Sequence, residues 1–302
     1  MHDSSTTSTR GTRRITPSAW LPLAIIPVSA WALTAGRWPA WAVMWILAMS
    51  LFTGCKWLSY ASTTVGDVPR WRHWAFLIAW PGMDAQAFLT PQREHVPPPT
   101  AGEWLRASCA VIAGCALCWL GVRAAANLSD LAQGWIGMVG LVLLLHFGTF
   151  HLLSCCWRQA GIAAHPLMDR PLAATSLGEF WGRRWNTAFR DLTHRFIFAP
   201  LRERWGPRVA LAVGFLVSGV VHDVVISLPT RSGFGLPTLF FLIHGAAVLG
   251  ERSRFGRRLG LGSGGVGWLY TMTVLIAPLG LLFHPPFVRQ VILPFLDLIA
   301  AR

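Results

Sequence analysis

The residues best placed to do chemistry are Asn186, which ends the run FWGRRWN (Phe180–Asn186), and His222, thirty-six positions further on inside VSGVVHD. Lipid is a poor solvent for an imidazole, and polar side chains at membrane depth face a protein interior or a watery cavity. A polar residue beside a basic, tryptophan-rich segment, followed by a histidine in an apolar run, points to chemistry at a membrane. The other polar residues in apolar runs are His146, His151, Asp223, His244 and Glu251. His146 and His151 are five apart and fall on different helix faces. No HxxxH or HxxHH box is present, so a resident metal is not expected. On the residues alone, His222 either makes an interhelical hydrogen bond or is reactive. His244, in FLIHGAAVLGE, orients His222, lines a cavity or pairs with Asp223. Glu251, beside Arg252 and Arg254, reads as a member of an interface ion pair.

The elements that position these residues follow from composition. Of 302 residues, 53% are hydrophobic and 13% charged, with 17 Trp, which is too apolar for an ordinary soluble protein. Runs near the ~20 residues that cross a bilayer fall at about 19–36, 38–58, 104–122, 134–157, 208–228, 235–250, 266–284 and 286–300. The first and last of these are interrupted by proline. The expected fold is an all-α polytopic integral membrane protein of seven or eight spans, in one membrane domain, with a disordered basic N-terminus over 1–18. The piece Trp74–Pro81 is expected to lie at the interface or to enter and return, leading into WPGMDAQAFL and a Pro-rich loop, Pro91–Thr100.

The net charge of +13 comes from 26 basic and 13 acidic residues, and only Lys56 is a lysine. Arginines flanking membrane spans account for this excess, so nucleic acid is not an expected partner. With a cytoplasmic N-terminus, twenty basic residues fall on the cytoplasmic side and four outside, which orients the chain. Arg-rich, Lys-poor usage with much Ala, Gly, Trp and Pro suggests a GC-rich coding sequence and a bacterial cytoplasmic membrane. Six cysteines lie in or beside apolar runs. Cys115 and Cys118 form a lone CxxC, and all six read as small hydrophobes in helix packing. The Gly-rich stretch Gly260–Gly267 lacks the lysine of a phosphate-binding loop and reads as a connector.

The segment 158–207 is expected to be cytoplasmic and amphipathic. Thr175 or Ser176 caps a helix, with Glu179 completing a capping box. From there Phe180, Trp181, Trp185, Phe189, Leu192 and Phe196 recur at helical spacing with arginines between them. The helix is either a membrane-surface anchor or a basic face that attracts an anionic substrate. His222 lies roughly 21 Å along its helix from Arg208, hence deep in a hydrocarbon core about 30 Å thick. Ser218 and Gly219, one turn earlier, let helices approach or leave room for a chain.

FWGRRWN followed by SGVVHD, then FFLIHG with Glu251, resembles the wax synthase branch of the membrane-bound O-acyltransferases. WPGMDAQAFL also resembles a segment of bacterial members. The likeness covers roughly residues 75–255 and is clearest over 176–251. It implies a multi-helix fold with a chamber through the membrane, and transfer of a fatty acyl group from a thioester to an alcohol. Acyl-CoA or an acyl-carrier protein would enter as substrate, with no cofactor. The resemblance carries the family's catalytic histidine onto His222 and its partner polar residue onto Asn186. A histidine suits removal of an alcohol's proton, and an asparagine amide suits a developing oxyanion. Trp181, Arg183, Arg184, Trp185, Ser218, Asp223 and His244 are the expected substrate-binding residues, with the arginines holding the donor's phosphates. A transporter with proton-relaying histidines is the competing reading. Asn186 is expected on the arginine-rich side and His222 far deeper, so a dipping segment or a long chamber must join them.

Overall fold

The computed structural model describes residues 16–91 and 96–302; the remaining residues, which include Arg93 and most of the expected disordered N-terminus, lie outside the described ones. The fold is that of an all-α polytopic membrane protein, with no β-strand among the described residues. Among the described residues, six helices are long and apolar enough to cross a membrane: Pro17–Thr34, Ala40–Ala61, Ala101–Ala124, Asp130–Gln159, Thr187–Thr230 and Gly264–Leu282. A shorter apolar helix, Leu236–Glu251, is the seventh.

The eighth expected span, 286–300, does not form one. Its helical turns run from Pro285 to Leu298, too few at 1.5 Å per residue to cross a ~30 Å core. Val288, Val291, Leu293 and Leu296 are buried in the main core. Gly134 and Gly137 face Val288 and Leu296, where a side chain would collide. The apolar run is spent on packing against protein rather than lipid.

The segment around WPGMDAQAFL is organised by the single lysine. Lys56 is 1% exposed; its Nζ donates to the carbonyls of Trp80 (2.7 Å) and Gly82 and lies 3.5 Å from the centre of the Phe76 ring. Buried N–H donors need such partners, so Lys56 staples helix Ala40–Ala61 to the loop. The piece expected at the interface is the helix Arg70–Ile78. It buries Phe76 and exposes Trp71, Trp74 and Ile78.

The expected amphipathic helix is broken in two. Ser176 caps its start, accepting from Glu179 N at 2.9 Å, and Glu179 reaches back one residue further than a capping box requires, to Thr175 N at 2.8 Å. The helical turns end at Arg184, Trp185 is extended, and Asn186 is left-handed (φ 43°, ψ 62°) before a new helix starts at Thr187. That helix runs on towards His222 across a break at Gly206 (φ 83°, ψ 167°) and Pro207. The recurring aromatic residues pack inward: Trp181 contacts Phe215 and Phe241, and Trp185 stacks between His146 and Phe180.

Candidate active site

His222 ends a helix that lies close against Leu236–Glu251. A Cβ on Gly219 would come within 2.6 Å of Thr238 Cα, so only glycine permits this approach. The neighbouring Asp223 locks the two helices together. Its carboxylate accepts from Gly235 N (2.8 Å), Thr238 N (3.1 Å), Ser227 Oγ (2.9 Å) and Thr238 Oγ1. It thus caps the start of the second helix, and no bond from it to His222 or His244 is formed. The imidazole is oriented by its own helix instead. Nδ1 lies 2.7 Å from the carbonyl of Ser218, which can only accept, so Nδ1 carries the proton and Nε2 keeps its lone pair. Phe241 packs against the ring at 4.4 Å between centres.

Asn186 is set by the break that ends FWGRRWN. Asparagine tolerates the left-handed backbone better than most residues. Its Oδ1 accepts from Phe189 N at 3.2 Å and caps the next helix. With the oxygen so used, the amide Nδ2 is the group left to donate.

Both residues line one cavity of about 370 Å³, together with Ser218, Trp181 and Trp185. The expected gap between a surface Asn186 and a deep His222 is therefore closed, because the broken segment folds back onto the His222 helix. Immediately after His222 (Asp223–Ser227), and within Phe180–Arg184, the helices widen into π turns, as they do at four other places among the described residues.

The segment carrying FWGRRWN is held by two carboxylates. Glu251 accepts from Leu177 N and Gly178 N, both at 2.8 Å. It is a buried clamp on a helix start rather than the expected ion pair. Glu179 pairs with Arg184 at 2.6 Å. The Thr175 N–H, aided by Arg184, holds its carboxyl below the usual glutamate range, burial opposing. Glu251→Ala would leave one buried and one half-buried backbone N–H without an acceptor, so a loss of about 2 kcal/mol is expected. Thermal unfolding in detergent measures this, and an unchanged midpoint would show that the clamp does not matter.

Not every expected site residue reaches the cavity. Arg184 is committed to Glu179 and to the carbonyls of Asp169 and Arg170. Arg183 is exposed and off the lining. Asp223 caps a helix, and His244 lies buried behind Trp181. The basic side chains that do line the wall are Arg190, Arg252 and His194, with no carboxylate among the described lining residues. Arg190 is braced by Asp191 (2.7 Å) and donates to Gly182 O (2.9 Å). Charge counting could not separate these arginines from the others. Helical spacing held one clue: Arg190 follows Asn186 by four residues and shares its face.

Residues 164–243, which contain Asn186 and His222, match the Membrane bound O-acyl transferase family. Over 147 residues the chain is 36% identical to a "Probable long-chain-alcohol O-fatty-acyltransferase 7" of Arabidopsis thaliana, covering 43% of this chain and 42% of that protein. Over 143 residues it is 34% identical to the corresponding protein 9 of that plant, with the same two shares, 43% and 42%. Over 100 residues it is 35% identical to the "Long-chain-alcohol O-fatty-acyltransferase" of Simmondsia chinensis, covering 30% of this chain and 28% of that one. The match thus spans less than half the length of these curated relatives. The family resemblance read from FWGRRWN and SGVVHD is borne out over this core. The relatives are plant proteins and lend no support to a bacterial membrane.

Proposed function

We propose that this chain is an alcohol O-acyltransferase of the bilayer, moving a fatty acyl group from an acyl thioester to a long-chain alcohol to give a wax ester and a free thiol. The observation that carries this reading is the shared cavity. His222 brings an imidazole whose Nε2 lone pair is free, and Asn186 brings an amide whose N–H is free. Each polarity is set by a backbone bond on the other end of the side chain.

In the reaction, His222 Nε2 takes the proton of the alcohol as its oxygen attacks the thioester carbonyl carbon. The tetrahedral oxyanion is met by Asn186 Nδ2–H. Its collapse breaks the C–S bond, and the departing thiolate receives the proton from His222. The thioester is already activated, so binding, orientation and exclusion of water are the work left to the protein. Phe189, Phe215, Phe241 and Leu211 give the cavity apolar walls for an acyl chain. Arg190 and Arg252 line the cavity where Arg183 and Arg184 do not, which supports them as the partners of the phosphates of a CoA or carrier-protein thioester.

The test is to incubate the purified chain in lipid vesicles with labelled palmitoyl-CoA or palmitoyl-carrier protein and alcohols of rising length. Labelled ester is the expected product, and the donor that supports it identifies the thiol carrier. Absence of ester from every pair, with label moved across the bilayer, would replace this reading with transport.

A further inference from the structure

The cavity lies between two arms of one helical hairpin. The first arm runs from Asn186 through Phe198 to the break at Gly206, and the second from Pro207 to His222. One pair fixes their register. A Cβ on Gly214 would meet a Thr193 methyl at 3.6 Å and, apart from its own turn of helix, nothing else within 4 Å among the described residues. At 1.5 Å per residue, Thr193 lies about 20 Å before the break and Gly214 about 12 Å after it. The two can touch only if the arms run nearly antiparallel, because an open angle would hold them farther apart. Asn186 and His222 are then at the same end of the hairpin, with Phe198 and Ala210 nearer the break.

Both arms line the cavity, and Gly214 and Thr193 are themselves part of its wall. On the second arm Ala210, Gly214, Ser218 and His222 recur at every fourth residue, on one face. Thr193 turns its hydroxyl back to the Phe189 carbonyl at 2.8 Å and leaves its methyl towards Gly214. The pair is therefore an apolar waist about 12 Å along the helix from His222. The cavity continues past it to Phe198, Ala210 and Leu211. Gly214 is half-buried, and its open side belongs to the cavity. A side chain larger than a methyl at this position would fill the waist.

An extended chain advances about 1.2 Å per bond. Counted from a carbon held at His222, eight carbons stop short of the waist. Sixteen pass through it and reach the level of Ala210, about 18 Å from His222. Phe198, Ala210 and Leu211 offer that far end apolar contact. We infer that Gly214, with Thr193 opposite it, sets the length of unbranched alkyl chain that the cavity accepts, and that the missing side chain is what admits sixteen carbons. The chain belongs to the thioester or to the alcohol; its role as part of a substrate rests on the acyltransfer reading.

Two competition series in lipid vesicles test this. The first pairs octanoyl and hexadecanoyl thioesters of the donor that supports turnover with octan-1-ol. The second pairs octan-1-ol and hexadecan-1-ol with the octanoyl thioester. Gly214→Leu should shift the preference about a hundredfold towards the short chain in at least one series, the scale of steric discrimination in an apolar pocket. Gly214→Ala only brings a methyl to contact distance from Thr193 and should shift it less than about threefold. The series that shifts identifies the chain that passes the waist. Should Gly214→Leu not fold, Thr193→Leu fills the waist from the opposite wall and carries the same expectation. Equal loss at every chain length, or no shift in either series, overturns the role of Gly214. Labelling needs no turnover: hexadecan-1-ol or a hexadecanoyl thioester with a terminal diazirine should mark peptides holding Phe198 or Ala210 in the parent and not in Gly214→Leu. That pattern without ester formation removes the acyltransfer reading alone. Ester formation with an unchanged length preference in Gly214→Leu removes the waist alone.

Discussion

His222→Ala should lower the turnover of ester formation by about a thousandfold, within the 10²–10⁴ that a positioned acid–base group supplies, while leaving the folded protein in the membrane. The structural cost of the change is small. Nδ1 bonds a carbonyl of the preceding turn of its own helix, at Ser218, and the ring is half-buried with its open side in the cavity. The helix contact itself is made by Gly219 against Thr238 and by Asp223 at the start of the next helix. Neither depends on the imidazole. A variant that melts like the parent but cannot make ester would isolate proton transfer as the lost step. The vacated space next to Phe241 should also admit exogenous imidazole, which is expected to restore part of the rate. Turnover near the parent value at saturating thioester and alcohol would exclude His222 as the base.

Replacing Asn186 is expected to reduce turnover about a hundredfold, but alanine is the wrong variant with which to show it. Asn186 has two duties, a left-handed backbone that caps a helix and an amide that faces the cavity. Alanine at positive φ costs ~1–2 kcal/mol, and loss of the cap costs ~0.5–2 kcal/mol more, so a dead Asn186→Ala protein is ambiguous. Asn186→Asp separates the duties. Its carboxylate still accepts from Phe189 N and still caps, so the melting temperature should hold. It has no N–H to donate, and it sets a negative charge where the oxyanion forms. Stability retained with turnover down by a hundredfold or more is the expected result. Asn186→Gly is the complement: it accepts the backbone, loses the cap at a few tenths of a kcal/mol, and should be equally slow. An active Asn186→Asp enzyme would reduce Asn186 to a helix cap.

What could be read from the chain depended on how local the cause was. The spans and the excess of arginine follow from run length and residue type, and Asn186 and His222 are singled out by their order and by the family resemblance. Ser218 and Gly219 are small enough to let helices approach or leave room, and the structure divides the roles: Gly219 for contact, Ser218 for the cavity wall. The aromatic spacing of 180–196 was also real, but periodicity gives a face and not what the face meets. Those rings turned inward because the backbone reverses at Trp185 and Asn186, and the left-handed residue that allows the reversal looks like any other asparagine in one dimension.

The charged residues show the same limit. Asp223, Glu251 and Arg184 were candidates for chemistry or surface pairing, and each is instead bound to backbone or to a carboxylate elsewhere in the chain. A carboxylate's role is fixed by which N–H groups lie within 3 Å of it, and Glu251 finds its own some seventy residues away. The sequence by itself determined that this is a polytopic helical membrane protein, because membrane solvation acts on each segment separately, and its FWGRRWN and SGVVHD motifs carried the resemblance to an acyltransferase core. Only the tertiary structure decided that Asn186 and His222 face one cavity, that Arg190 and Arg252 rather than Arg183 and Arg184 line it, and that Gly214 meets Thr193 across it. Those outcomes depend on helix packing and on broken helix ends, which no single segment contains.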